Sequence, residues 1–284
     1  MTFDSSESTR RTQVHRYREG SCGTDTDLLA VEEPLEIRLG YRLVGKPARR
    51  SVSITMRTPG ADAELAAGFL YGESILSGPD DIAEITGPDA DDVDNPTNII
   101  RIDVADGVDV DLASLQRNFY TTSSCGVCGK ASLEALEIDD CTALHDIDFK
   151  LPAEMIPRLP HRLRDAQPLF ETTGGIHAAG LFDADANLVA LREDVGRHNA
   201  MDKLVGARLL ADELPANQHA VVLSGRASFE LLQKALRASI PFVVAVGAPS
   251  SLAVDLADEF GITLVGFARN GRFNVYTHPD RVSV

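Results

Sequence analysis

Hydrophobic and polar residues alternate along two stretches early in the chain, "LEIRLGYRLVG" from Leu35 and "SVSITMRTPG" from Ser51. Alternation with a period of two predicts β-strands that bury one face. After the turn-forming residues at the end of the second stretch, "ADAELAAGFLYGESIL" carries apolar residues at helical spacing, and "IIRIDV" from Ile99 reads as a further strand. Residues 31–150 are therefore predicted to form a smaller, N-terminal α+β lobe.

The second half of the chain alternates short apolar runs with amphipathic segments of about 10 to 15 residues, which is typical of parallel β-α-β units. Residues 151–284 are therefore predicted to form an α/β layer lobe. Four prolines between Leu151 and Phe170 predict a connector with a short helix, which places the lobe boundary near residue 150. Residues 1–30 are polar and lack apolar periodicity, which predicts a disordered tail.

Composition narrows the class of protein. The chain has 284 residues, of which 44% are hydrophobic and 25% charged, and no apolar run approaches the roughly 20 residues of a membrane helix. Its first 20 residues lack the apolar core of a signal peptide, so we expect a cytoplasmic protein with reduced thiols and without membrane association. A net charge of -16 argues against nucleic acid as the main partner.

The segment "TTSSCGVCGK" places Cys125 and Cys128 on one glycine-rich loop, in a chain with four cysteines. Such a pair can be half of a zinc site, a dithiol redox couple, a sulfur-carrying nucleophile or an incidental pair. The spacing C-x2-C-x12-C-x3-H, completed by Cys141 and His145, fits the ligands of a structural zinc site. Against zinc, the segment between the two halves is predicted to be helical, and a lobe of this size needs no metal to fold.

Local electrostatics favour the nucleophile. If a helix begins near Lys130, both thiols lie at its amino end, where free N–H groups and the lysine charge stabilise the thiolate. The thiolate is the reactive form of cysteine. A thioredoxin-type couple needs the same thiols, but thioredoxins place them after a strand in a fold that begins differently. Sulfur handling is therefore preferred over simple disulfide exchange.

Four segments, in the same order along the chain, resemble the FdhD family of formate dehydrogenase accessory sulfurtransferases. They are "SSCGVCGK", "TGGIHAAGLFD", "REDVGRHNAMDKLVG" and "GFARNGRFNVYTHPDR", and the resemblance runs from Pro34 to the carboxyl terminus. It implies that Cys125 accepts sulfur from a cysteine desulfurase as a persulfide, with Cys128 as its partner thiol. The sulfur then passes to the molybdenum bis(molybdopterin guanine dinucleotide) cofactor, the bound substrate, before that cofactor enters formate dehydrogenase. Related proteins also suggest a homodimer.

The resemblance also implies that the second lobe is similar to cytidine deaminases. A zinc deaminase needs a His-x-Glu motif and a later Pro-Cys-x-x-Cys. Here His177 is followed by two alanines, and no cysteine follows Cys141, so deaminase chemistry is excluded. His177 is either functional or a histidine satisfied beside a buried strand.

A binding face is predicted where the parallel strands end. In open α/β sheets, ligands lie beyond the carboxyl ends of the strands, which here read "SGRAS", "GAPSS" and "FARNGR". Arginines in these turns suit a phosphate-bearing ligand, although each can instead form a surface ion pair. In "REDVGRHN", Glu193 and Asp194 can pair internally with the neighbouring arginines.

The resemblance places the cofactor against "FARNGR", with GDP as the expected ligand analogue. The residues predicted to bind it are Phe267, Ala268, Arg269, Asn270, Gly271, Arg272, Gly225, Arg226, His177, Arg197 and His198. No residue is assigned to a metal. The alternative function is a zinc-stabilised chaperone that binds the same cofactor without covalent chemistry.

Overall fold

The computed structural model describes residues 8–43, 45–88, 98–108, 110 and 141–284. The N-terminal lobe contains a four-stranded sheet in the order β4-β3-β6-β5. Its strands are β3 (Glu33–Leu43), β4 (Lys46–Arg57), β5 (Ile82–Thr86) and β6 (Ile99–Val104), and helix α1 (Asp62–Gly72) packs on the sheet. The alternating residues Leu35, Ile37 and Leu39 are fully buried beneath this helix, as their pattern predicts.

The prediction of a disordered tail is wrong for residues 9–30. They form a hairpin of two antiparallel strands, β1 (Thr9–Arg18) and β2 (Ser21–Ala30). Glu19 and Gly20 form the turn with φ values of 50° and 80°, the left-handed conformation that two-residue hairpin turns require. Cross-strand pairing, including an ion pair between Arg16 and Asp25, stabilises strands that have almost no apolar face. A search for buried periodicity therefore missed them.

A six-stranded sheet in the order β13-β12-β11-β10-β8-β9 forms the centre of the C-terminal lobe. Its strands are β8 (His177–Phe182), β9 (Leu188–Asp194), β10 (Ala220–Leu223), β11 (Phe242–Ala245), β12 (Thr263–Arg269) and β13 (Arg272–Thr277). The helices are α2 (Leu159–Asp165), α3 (Pro168–Thr173), α4 (Arg197–Leu210), α5 (Phe229–Arg237) and α6 (Ser251–Glu259). The short strands β7 (Leu151–Pro152) and β14 (Val282–Ser283) pair beside this sheet.

The α/β class predicted for this lobe is confirmed, but only part of the sheet is parallel. Strands β10, β11 and β12 are parallel, whereas β8, β9 and β13 run antiparallel to their neighbours. The β8–β9 and β12–β13 connections are short turns, and a parallel crossover needs about a dozen residues. The more specific likeness to cytidine deaminases stays a prediction.

Two hydrophobic clusters cover opposite faces of the C-terminal sheet. Val221 and Val243 point into the cluster that includes helices α4, α5 and α6, whereas Val222 and Val244 point into the cluster that includes α2. Leu144 belongs to the cluster on the side of α4, α5 and α6. The chain therefore joins the core of the C-terminal lobe a few residues before the predicted boundary near residue 150. No helix in the described part of the chain is long and apolar enough to cross a membrane.

The two lobes meet where helix α1 crosses helix α4. Glycines stand at the crossing point in both helices. A Cβ added to Gly68 would overlap the backbone oxygen of Asp202, and one added to Gly206 would overlap that of Glu64. The two backbones are therefore in direct contact, and any side chain at either position would push the lobes apart.

We expect Gly206→Ala to lower the free energy of unfolding. Overlap with backbone that cannot rotate away costs about 3 kcal/mol, the upper end for overpacking. This outweighs the roughly 1 kcal/mol that alanine gains over glycine inside a helix. Urea unfolding measures the difference. Gly78→Ala is the matched control, because its added Cβ meets nothing within 4 Å. Equal stability of the two variants would contradict the close crossing.

Candidate functional site

The two thiols predicted to carry sulfur, Cys125 and Cys128, lie outside the described residues. The predicted helix start at Lys130 lies there too, so these assignments stay predictions. Cys141 packs against the C-terminal core, and the ring of His145 lies 5.3 Å from that of His278. Among the residues that the structure describes, no group of three or more side chains is arranged to hold a metal ion. The zinc site considered for Cys125, Cys128, Cys141 and His145 includes residues outside that set and stays a prediction.

The three strand ends predicted to form the binding face do lie together. The Gly247 amide donates to the oxygen of Gly225 at 2.9 Å, and the Phe267 amide donates to the oxygen of Gly247 at 3.0 Å. The Ser250 amide further donates to the oxygen of Ala227. Backbone hydrogen bonds therefore join the "SGRAS", "GAPSS" and "FARNGR" segments into one continuous edge at the carboxyl ends of β10, β11 and β12. We call it the binding edge.

The "FARNGR" segment is a two-residue turn between antiparallel strands. Arg269 and Arg272 are paired across it, and Asn270 and Gly271 have φ values of 53° and 74°. Phe267 is also left-handed, with φ 53°, at an irregularity in the ladder of β12 and β13. Both arginines are exposed, and the Arg269 guanidinium lies 5.8 Å from the centre of the Phe267 ring, whereas Ala268 is fully buried.

His177 begins β8 beside this edge. Its Nδ1 lies 3.3 Å from the hydroxyl of Ser224, which also accepts a hydrogen bond from the Ala178 amide at 2.9 Å. Burial lowers the pKa of His177, and the charge of Arg197 lowers it further, against the opposing effect of Asp194. His177 therefore has a hydrogen-bonding partner within the protein, and the same contact holds its ring next to Gly225. Its role in ligand binding stays a prediction.

Arg197 and His198 form the first turn of helix α4. The His198 Nε2 lies 3.1 Å from the hydroxyl of Ser228 and 3.7 Å from the carboxylate of Glu230. Burial and the neighbouring charge of Arg197 lower the pKa of His198 to about 4, although Glu230 acts in the opposite direction. Helix α4 thus places the imidazole of His198 beside the "SGRAS" segment, and the charge of Arg197 acts on both histidines.

The prediction that Glu193 and Asp194 pair with neighbouring arginines is wrong for Arg197. Glu193 accepts hydrogen bonds from the amides of Leu169 and Phe170, and Asp194 pairs with Lys203. The Nε of Arg197 is buried and has no hydrogen-bond partner among the residues that the structure describes. The carboxylates are occupied elsewhere because tertiary contacts, not sequence neighbours, satisfy them.

The other three arginines predicted to bind the cofactor also lack a described acidic partner. Within the described ranges, Arg226, Arg269 and Arg272 form no ion pair. Other arginines do: Arg192 binds both carboxylate oxygens of Glu64, at 2.5 and 2.7 Å. These three arginines therefore form no surface ion pair with the described carboxylates. Their guanidinium groups remain at the binding edge for an anionic ligand.

Sequence reasoning missed Ser224 and Ser228, the hydroxyl partners of the two histidines. Both lie within "SGRAS", on either side of the residues that were selected. Their signal was available, since a serine that flanks a strand end and a helix start commonly bonds to nearby polar groups. Which histidine each serine would meet could not be read from the sequence, because His177 precedes Ser224 by 47 residues and His198 precedes Ser228 by 30.

The sequence profile that describes the FdhD/NarQ family matches residues 30–283. The chain belongs to the FdhD/NarQ family. A family member named sulfur carrier protein FdhD, from Streptomyces coelicolor, is 50% identical over 279 residues, which are 97% of this chain and 96% of that protein. Its namesake from Sulfurisphaera tokodaii is 38% identical over 273 residues, 96% of this chain and 98% of the other. The crystal structure of a candidate formate dehydrogenase accessory protein from Desulfotalea psychrophila has a TM-score of 0.72 at 26% identity, covering 97% and 99% of the two chains.

We expect His198 to be neutral at pH 6 in the folded protein, which nitrogen-15 NMR of the histidine side chains measures directly. An unfolded chain protonates this residue near its ordinary pKa of 6.5. The unfolded state therefore binds more protons as the pH falls from 6.5 towards 4, so the free energy of unfolding decreases over that range. His198→Asn should flatten this part of the stability curve.

Arg197→Ala should raise the pKa values of both His177 and His198, because it removes a positive charge that lowers them. Arg208→Ala is the matched control, since Arg208 lowers the pKa of His219. Unchanged titration of His177 and His198 in the Arg197 variant would show that the charge of this guanidinium does not lower their pKa values.

Proposed function

We propose that this protein is a sulfur carrier that loads sulfur on Cys125 and delivers it to a molybdenum bis(molybdopterin guanine dinucleotide) cofactor bound in the C-terminal lobe. The observation that carries the proposal is the binding edge, where hydrogen-bonded strand ends bring together arginines without described ion-pair partners. Two histidines of lowered pKa contact Ser224 and Ser228 at one of these strand ends. The names of relatives between 38% and 50% identical support the sulfur-carrying part.

The loading step conserves atoms and electrons. The thiolate of Cys125 attacks the terminal sulfur of a cysteine persulfide on the desulfurase. The sulfur–sulfur bond of the donor breaks, a new one forms on Cys125, and the donor cysteine leaves as its thiolate. No external oxidant or reductant is needed. Cys128 is placed as the partner thiol that helps to discharge the persulfide.

The binding edge suits the phosphate groups of the guanine dinucleotides. A guanidinium can hold two phosphate oxygens at once, whereas a lysine offers a point charge. Arg269 and Arg272 flank a two-residue turn after β12, and Arg226 follows Gly225 after β10, two strands away in the same sheet. We place the pyrophosphate against these three side chains and the rest of the cofactor towards His177, Arg197 and His198. Formate dehydrogenase is the proposed recipient, in the cytoplasm, and the carrier is proposed to be a homodimer.

Intact-mass analysis after incubation with a cysteine desulfurase and cysteine tests the sulfur-carrying part. We expect the protein to gain one sulfane sulfur, and Cys125→Ala to lose that gain and support no formate dehydrogenase activity while keeping its fold. Cys22→Ser is the control, because Cys22 is an exposed thiol on the hairpin and is not part of the Cys125–Cys128 motif. Normal dehydrogenase activity with the alanine variant would contradict the mechanism. One tightly bound zinc per chain, with equal loss in Cys125→Ala and Cys128→Ala, would favour the zinc-stabilised chaperone.

Titration calorimetry with GDP tests the binding edge. Losing a hydrogen bond to a charged group costs about 1.5 to 3 kcal/mol, so Arg269→Ala or Arg272→Ala should weaken GDP binding roughly 10- to 150-fold. Persulfide loading on Cys125 should not change in these variants. Arg164→Ala is the matched control, because its guanidinium lies over the ring of Phe170 instead. Unchanged affinity in both test variants would remove the nucleotide from this turn.

A further inference from the structure

A cluster of buried polar groups lies behind the binding edge, where the N-terminal lobe meets helix α4. At its centre is the carboxylate of Asp194, which is fully buried. It pairs with the Lys203 ammonium at 2.6 Å and accepts hydrogen bonds from the amides of Thr58 at 3.1 Å and Gly196 at 2.8 Å. The side-chain amide of Asn199 donates to it at 3.0 Å. The carboxylate is thus compensated by groups from both lobes.

Thr58 is bound by the C-terminal lobe through all three of its polar groups. Its amide donates to Asp194, its carbonyl accepts from the Lys203 ammonium at 2.8 Å, and its hydroxyl accepts from the Val195 amide at 3.2 Å. This residue follows directly after strand β4 and is 1% exposed. The end of β4 is therefore attached to the segment that leads into helix α4.

Asn199 makes a second attachment to the same strand. Its side-chain amide donates to the backbone oxygen of Met56 at 2.7 Å, and its side-chain oxygen accepts from the hydroxyl of Thr55 at 3.1 Å. Asp194 and Asn199 thus fix the two ends of a short segment of chain. Arg197 and His198 lie between these two fixed points.

The residues of helix α4 that hydrogen-bond to the N-terminal lobe lie on a different face of the helix from His198. Asn199, Lys203 and Gly206 recur at the spacing of one helix face, and all three contact the N-terminal lobe. The side chains of His198 and Asp202 share a different face, where they meet Ser228 and Lys234 of the C-terminal lobe. Asp202 also borders α1 through its backbone, but the described hydrogen bonds to the end of β4 come from the first face. One turn of helix therefore binds the N-terminal lobe on one side and presents candidate ligand-binding groups on another.

We propose that Asp194, Asn199 and Lys203 are positioning residues, which use the backbone of Met56 and Thr58 in the N-terminal lobe to hold Arg197 and His198 against the binding edge. The end of strand β4 then supports the nucleotide site through contacts with the protein rather than with the nucleotide. This inference rests on the proposed function for the identity of the ligand, but not for the geometry. Removing the attachment should weaken nucleotide binding even when the helix itself remains folded.

The test compares two double variants of the same helix. Asp194→Asn with Lys203→Met removes both charges of the attachment, so that no buried charge is left without a partner. Asp202→Asn with Lys234→Met does the same to the neighbouring buried pair, which is 2.6 Å long. This pair lies between α5 and Gly72 of α1, so it controls for the loss of a buried ion pair at the same interface without removing the described hydrogen bonds to the end of β4. Circular dichroism and urea unfolding establish that both proteins are folded. We expect the first to raise the Kd for GDP about tenfold or more, and the second to change it less than about threefold.

Thr58→Val provides a milder variant that changes no charge and nearly preserves shape. It removes the acceptor for the Val195 amide, so we expect a two- to tenfold weaker affinity for GDP, of the order of one neutral hydrogen bond. Nitrogen-15 NMR of His198 gives a readout that does not depend on nucleotide. If the attachment positions this histidine, its titration midpoint should move towards the ordinary value in Thr58→Val and in the first double variant.

The outcomes separate the positioning role from the proposed function. Equal losses of GDP affinity in the two double variants would show that helix stability alone is involved and would overturn the inference. Unchanged GDP affinity together with an unchanged His198 titration would also overturn it. If the wild-type protein binds no GDP, the proposed nucleotide site fails, and the His198 titration alone then decides whether the attachment positions this turn.

Discussion

The buried negative charge of Asp194 is fully compensated only when the two lobes are together. Moving a carboxylate into a protein interior costs several kcal/mol even after relaxation, so a buried one persists only among cations and N–H donors. Here the cation comes from Lys203 and the donors include amides of both lobes. Separating the lobes would leave this charge without part of its compensation. Charge compensation therefore stabilises the interface together with apolar burial.

Helix α4 contacts the N-terminal lobe, the neighbouring helix α5 and the core of the C-terminal lobe at the same time. Gly206 permits backbone contact with α1, Asp202 pairs with Lys234 of α5, and the apolar side chains Met201 and Leu204 fill the core beneath the sheet. With its faces committed in this way, the helix has little freedom to rotate or slide. The orientation of its first turn, which carries Arg197 and His198, follows from packing much further along the helix.

Local patterns were sufficient to predict most of the elements, because a buried face imposes its period on the sequence. The strand that contains Leu35, Ile37 and Leu39, the helix at residues 62–72 and the strand at residues 99–104 are examples. The hairpin at residues 9–30 escaped prediction because cross-strand pairs, which have no such period, stabilise it. The partner of Asp194 was also beyond sequence reasoning. Among several nearby cations, only the tertiary arrangement selects Lys203 and leaves Arg197 for the binding edge.

An anionic ligand would have to approach a protein with a net charge of -16. Screening limits repulsion to a Debye length of about 8 Å at physiological salt, so the acidic surface mainly slows encounter. Retention then depends on groups in direct contact. Arginine stays protonated at any physiological pH, whereas the lowered pKa values of His177 and His198 keep both imidazoles neutral near pH 7. The histidines thus contribute hydrogen-bonding groups, and the positive charge at this edge comes from the guanidinium groups, which do not titrate.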